Sequence, residues 1–74
     1  QRGKMIFEAQ PLAAVVEELN RYRAGRIIIL NPTLRSLNVT GVFDIGDPDA
    51  ALRMIEQTLR IHDTTLTPYL VLLH

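Results

Sequence analysis

The chain of 74 residues predicts an α+β domain built as a duplicated βαβ module. Three observations carry this. Two extended stretches, Lys4 to Ala9 and Val39 to Phe43, alternate their side chains with a period near two. Each leads to a proline followed by apolar residues at helical spacing, and each helix then returns through a stretch rich in aliphatic side chains.

In the first strand Met5 and Phe7 alternate with Lys4, Ile6 and Glu8, between Gly3 and Pro11. Pro11 is expected at the first helical position, where its missing N–H is not needed. Leu12, Val15, Val16, Leu19 and Tyr22 then share one face of a helix expected to end near Arg23, with Gly25 as a left-handed C-terminal cap. Ile27 to Leu30 is β-branched and too short for a helix, so it reads as a second strand stopped by Asn31-Pro32.

Thr33 to Leu37 is a connector with room for one helical turn, placing Leu34 and Leu37 against the core. Val39, Gly41 and Phe43 share a face of the third strand, where Gly41 marks a close backbone approach or a bulge. Asp47 is a good N-cap, Pro48 the first helical residue and Asp49 an acid in the positive first turn, so a second helix opens there. Ala51, Leu52, Ile55 and Leu59 form its buried stripe. No glycine closes it, and the expected continuation is a strand from about Arg60 to Leu66, a turn at Thr67-Pro68 and a last strand from Tyr69 to Leu73.

At this length residues 1–74 form one domain near the lower limit of what a single core stabilises, so a partner or neighbouring domain can complete it. The apolar fraction of 47% is ordinary, and neither helix candidate reaches the roughly 20 apolar residues of a membrane span. The chain opens on Gln1 without a signal-like segment, which suggests a piece of a longer protein. Without cysteine there is no disulfide framework, thiolate nucleophile or Cys-ligated zinc. Net charge is zero but polar along the chain: residues 1–37 hold six Lys/Arg against three Glu, and residues 38–74 hold two Arg against five Asp/Glu. Such polarity orients a partner, packs the two halves together, or simply solvates the surface.

No set of residues points to catalysis, a cofactor or a metal. Asp44, Asp47 and Asp49 lack the spacing of a calcium loop, and helix capping explains the latter two. His62 and His74 stand twelve positions apart with no further imidazole to complete a ligand set, and read as surface histidines. Ser36 sits in no nucleophile elbow, and the glycines are too scattered to cradle a phosphate. Arg21, Arg23 and Arg26 are the one basic cluster, but a net-neutral chain with few aromatics lacks the field and the stacking platform for nucleic acid. Arginines at a helix C-terminus complement its dipole in any case.

The informative surplus is aliphatic. Ile27 to Leu30 and Tyr69 to Leu73 are apolar on both faces, more than two helices can cover. One reading makes a strand central and sandwiched, or its exposed aliphatics tolerated. The other makes an open sheet edge or face that receives a partner strand or a second copy of the domain. On the second reading the contact residues are Tyr69, Leu70, Val71, Leu72 and Leu73, with Val42 and Phe43 as a smaller patch.

Gly3-Lys4-Met5-Ile6-Phe7, Pro11-Leu12, Val15-Val16-Glu17-Glu18-Leu19-Asn20-Arg21-Tyr22, Ile27 to Pro32, Leu37 and Val39-Thr40-Gly41-Val42-Phe43 together resemble the C-terminal region of the FecR/PupR family of anti-sigma regulators. The Leu-Asn-Arg-Tyr step, with Asn-Pro and Gly-Val-Phe at these distances, is the specific part; the rest is generic apolar periodicity. The chain also looks like the secretin and TonB receptor short N-terminal (STN) domain, whose fold places two helices between small β-sheets. The resemblance implies a periplasmic domain of a membrane-anchored regulator of a Gram-negative bacterium. Its implied partner is the signalling domain of a TonB-dependent outer-membrane transducer that reports an iron-siderophore. An extracytoplasmic-function sigma factor would be held only by a cytoplasmic domain outside this chain. The alternative from the same fold is the signalling domain of a transducer or secretin itself, and a homodimer is open on either reading.

Overall fold

In the computed structural model, which describes residues 3–74, five strands and two α-helices form two small sheets around one core. Strand β1 (Lys4–Pro11) pairs antiparallel with β3 (Asn38–Asp44). In the second sheet β5 (Leu70–Leu73) is central, parallel to β2 (Arg26–Ile29) and antiparallel to β4 (Asp63–Thr67). Each β-α-β stretch therefore sends its first strand to one sheet and its return strand to the other. Helix α1 (Leu12–Leu19) packs against strands of both sheets. Helix α2 (Pro48–Leu59) packs on β3, and its side chains share a hollow with β4 and β5.

The core is the one the alternation and helical spacing select. Met5 and Phe7 from β1, Leu12, Val15, Val16 and Leu19 from α1, Val39 from β3 and Ala51, Leu52 and Ile55 from α2 are all buried. Ile27, Val71 and Leu73 close it from the second sheet. Leu34 and Leu37 pack against it from a 3₁₀ turn at Pro32–Ser36, which Asn31 caps by accepting the Thr33 N–H at 3.1 Å. Asp47 caps α2 as expected, accepting the Ala50 N–H at 3.1 Å.

Helix α1 is shorter than its apolar spacing suggests. It ends at Leu19 instead of near Arg23, and Pro11 is its N-cap and the last residue of β1. Asn20 ends the helix because its side chain is committed elsewhere: Oδ1 accepts the Ile27 N–H at 2.9 Å and Nδ2 donates to the Ile27 carbonyl at 3.2 Å. Tyr22 thus leaves the helical face and is exposed. Gly25 is left-handed, φ +84°, but lies beyond the cap; its role is to let the chain pass against Tyr69, whose Cα and carbonyl oxygen would lie 2.5 and 2.6 Å from an added Cβ. The arginines that follow α1 are likewise not a helix terminus.

The end of α2 is the other correction. Arg60 does not begin a strand; it holds a left-handed conformation, φ 58°, and the Ile61 N–H donates back to the Glu56 carbonyl at 3.1 Å. This is a Schellman closure with arginine where glycine is usual, and Ile61 supplies the apolar contact that accompanies it. The strand then starts at Asp63 and the turn shifts to Pro68–Tyr69. In β1 the register slips between Phe7 and Gln10, with Ala9 at φ 52° donating its N–H to Thr40 Oγ1 at 3.0 Å, a bulge that the alternation did not signal. Gly41 is neither a close backbone approach nor itself the bulge: the ring of Phe43, two residues on, lies 2.9 Å from where its Cβ would be.

Candidate interaction surfaces

The aliphatic surplus is divided by the pleat. In the second sheet the register sets Ile27 beside Val71 and Ile29 beside Leu73 on the side facing the helices, and Ile28 beside Leu72 on the other. Leu70 and Leu72, both half-buried, join exposed Ile28 on that outer side, and exposed Leu30 continues it. Leu66 and Tyr69, 58% and 65% exposed, flank it at the β4–β5 turn.

The expected contact strand is corrected in two ways. Its main-chain groups are not an open edge, because β5 is the middle strand and both sides are paired. Val71 and Leu73 are core residues, leaving Tyr69, Leu70 and Leu72 to face outward. The second patch divides likewise. Val42 is exposed beside its cross-strand partner Ile6, whereas Phe43 is half-buried with its ring centroid 6.0 Å from that of Phe7. Ile6 was legible as an outward position, since it alternates with Met5 and Phe7, yet its pairing with Val42 needs the register.

A different surface runs along the free edge of β2. Between that edge and α1 lies a groove of about 710 Å³, floored by Ala13, Ala14 and Val16 on the helix side and Ile27 to Ile29 on the strand side. Arg21, Arg26 and Arg35 stand around it with Glu17 as the acid. Arg21 has Glu18 at 3.5 Å. Arg26 and Arg35 make no salt bridge among the described residues.

The third arginine of the sequence cluster, Arg23, turns inward. Its Nε donates to Asp49 Oδ1 at 2.9 Å, tying the loop after α1 to the first turn of α2, and its side chain is only 10% exposed. Asp44 instead accepts the Gly46 N–H at 2.8 Å, so the three acids serve a turn, a cap and an ion pair. Among the described residues no cluster of three His, Asp or Glu side chains is arranged for a metal. His62 and His74 are exposed as expected, but the strand pairing makes them neighbours: they exchange backbone hydrogen bonds of 3.0 and 2.9 Å, their rings are 6.1 Å apart, and Thr64 Oγ1 lies 2.8 Å from His74 Nε2.

Below Arg23, a hollow of about 270 Å³ between α2 and β4–β5 holds Glu56 and Asp63. Burial pushes the Glu56 carboxyl up to about 7, helped by a hydrogen bond with Asp63 and the repulsion of its charge, with Arg53 pulling the other way. Arg23 Nη1 and Glu56 Oε2 are both shielded from solvent without a hydrogen-bond partner among the described residues. Because the folded value lies above the ordinary glutamate value of 4.5, the protonated carboxyl is favoured by folding. Its contribution is complete below about pH 4.5 and is lost as pH rises toward 7. With water still reaching part of the group, the expected loss is about 1–2 kcal/mol. Urea denaturation at a series of pH values should show this slope, and Glu56→Gln should remove it; an unchanged slope in the variant would show that another group carries it.

Residues 4–65 match the family described as FecR, C-terminal. No curated protein matches the chain. Two crystal structures of a candidate anti-sigma factor from Parabacteroides distasonis ATCC 8503, at 2.50 and 1.65 Å resolution, superpose with TM-scores of 0.82 at 19% and 20% identity. Each alignment covers 99% of this chain and 34% of the other, so the chain spans about a third of those proteins and shares the fold of that third.

Proposed function

Because the chain belongs to the FecR C-terminal family, we propose that it is the protein-interaction domain of an anti-sigma regulator and acts by docking rather than by turnover. On this reading it lies in the periplasm as part of a membrane-anchored protein and receives the signalling domain of a TonB-dependent outer-membrane transducer. That contact relays an iron-siderophore signal to a sigma factor held by another domain. The layout, with two βαβ stretches interleaved into two sheets about a pair of helices, is read as STN-like.

The observation that supports docking most directly is the aliphatic outer side of the three-stranded sheet, where Ile28 and Leu30 are exposed and Leu70 and Leu72 half-buried. Ile28 and Leu72 are cross-strand neighbours there, with Leu70 beside them and Leu30, Leu66 and Tyr69 around them. A contiguous aliphatic surface on a folded sheet marks a protein contact more often than isolated exposed leucines do. Its burial is worth roughly 25 cal/mol per Å² before the costs of association.

Calorimetric titration with the signalling domain of the transducer encoded beside the parent gene tests this. Saturable one-to-one binding is expected, weakened at least about tenfold by Leu70→Asp or Leu72→Asp in variants with unchanged circular dichroism. Absence of binding by the folded wild type would overturn the proposal. Sedimentation of the domain alone separates a self-association that uses the same side.

A further inference from the structure

We propose that the groove between α1 and the free edge of β2 receives a short extended segment of a partner protein, acidic at both ends, which adds to the sheet beside Ile29. The hydrogen-bonding direction of β2 is the first support. The Arg26 N–H donates to the Tyr69 carbonyl and the Leu30 N–H to the Leu73 carbonyl, both at 2.8 Å. In a parallel ladder the intervening odd residues then turn their N–H and C=O away from β5, toward the open side.

At Ile27 that demand is met by the Asn20 side chain, whose amide donates and accepts as a neighbouring strand would. Ile29 has no such partner among the described side chains, and its backbone borders the groove. The site thus offers one strand-like pairing already filled and the next one open. An edge of this kind is a template for strand addition unless charge or a covering element blocks it.

Charge supplies the identity of the guest. Arg26 at the start of β2 and Arg35 in the 3₁₀ turn carry no salt bridge among the described residues, and Arg21 stands at the same end as Arg26. Between them Ala13, Ala14 and Ile29 give small or aliphatic walls, and Glu17 is the one acid of the lining against the three arginines. A segment with carboxylates at its two ends and small or β-branched residues between complements that arrangement, whereas a basic segment meets repulsion at both ends. This deepens the proposed function: that reading names the protein that carries the segment, while the groove alone defines its chemistry.

The test uses a capped seven-residue peptide with a Val/Thr centre and two acidic residues at each end, titrated into the ¹⁵N-labelled domain at about 50 mM salt, where exposed charges are weakly screened. Saturable shifts centred on Ile27 to Leu30 and slowed exchange of the Ile29 amide are expected below about 1 mM peptide. Arg35→Gln and Arg26→Gln, both at exposed positions, should each weaken binding several-fold while leaving the spectrum of the free domain folded. The proposal is overturned by no saturable shift up to that concentration, by equal binding of a peptide with lysines in place of the acids, by shifts confined to another surface, or by undiminished binding in both arginine variants. A short oligothymidylate that competes for the same residues equally well would also overturn it, in favour of a general anion site. Since the transducer domain is absent from this experiment, its result is separable from that of the calorimetric titration.

Discussion

Gly25→Ala should destabilise the domain by about 3 kcal/mol or more, a drop in melting temperature of roughly 12 °C or greater for a chain of this size. Two effects add. At φ +84° an L side chain carries a penalty of about 1 kcal/mol that glycine does not. The added Cβ would also sit 2.5 Å from the Tyr69 Cα and 2.6 Å from its carbonyl oxygen. These are backbone atoms, so no rotamer change relieves the contact. The neighbouring Arg26 N–H is bonded to that same carbonyl, so relief requires β2 to move off β5 at the start of their pairing. Gly25→Asn separates the causes. Asparagine tolerates the left-handed region but keeps a Cβ, so it should be nearly as destabilising as alanine. Urea denaturation of both variants decides it: a loss under about 1 kcal/mol for alanine would mean that the approach to Tyr69 is slack.

Leu73→Ala and Leu72→Asp should differ sharply although the residues adjoin. Leu73 is fully buried, and truncating it should cost about 2–5 kcal/mol through lost burial and a cavity. A 74-residue domain has a total stability of only roughly 4–11 kcal/mol, so that variant approaches unfolding at physiological temperature. Leu72 points to the outer side, and a charge there keeps contact with water; its cost should stay near about 1–2 kcal/mol, mainly from the poor fit of aspartate to a central strand. Thermal melts by circular dichroism distinguish them. If Leu72→Asp unfolded the domain as readily as Leu73→Ala, the outer side would be covered by something, and the docking surface would need to be placed elsewhere. The contrast also governs how binding data are read, because a lost interaction in a Leu73 variant would report unfolding and not an interface.

Much of this molecule is legible locally. Alternation in β1 and β3 identifies Met5, Phe7 and Val39 as inward residues, and helical spacing selects Leu12, Val15, Val16 and Leu19. Asp47-Pro48 marks the start of α2 because a capping carboxylate and a proline act within one turn. Features that depend on a distant partner are not legible in this way. The apolar spacing runs on to Tyr22, but α1 stops where the Asn20 amide is taken by Ile27, seven residues on. Arg60 closes α2 without a glycine because the core contact of Ile61 and the bond to Glu56 hold the left-handed turn in place.

The interaction surfaces divide along the same line. Apolar residues on both faces of Ile27–Leu30 and Tyr69–Leu73 already imply that more aliphatic surface exists than two helices can cover, and the family pattern is carried by residues along the chain. Sequence alone therefore determined the α+β class, the two amphipathic helices and most of the core, since these follow from short-range periodicity and capping, and it determined the family through the residue pattern that residues 4–65 share with it. Tertiary structure decided that the last strand is central rather than an edge, that Leu70 and Leu72 face out while Val71 and Leu73 face in, and that β2 is left with an open side among arginines. The pairing that makes β5 central joins Arg26–Ile29 to Leu70–Leu73, segments at opposite ends of the chain, and a one-residue slip there would exchange the buried and exposed sets without changing the local pattern.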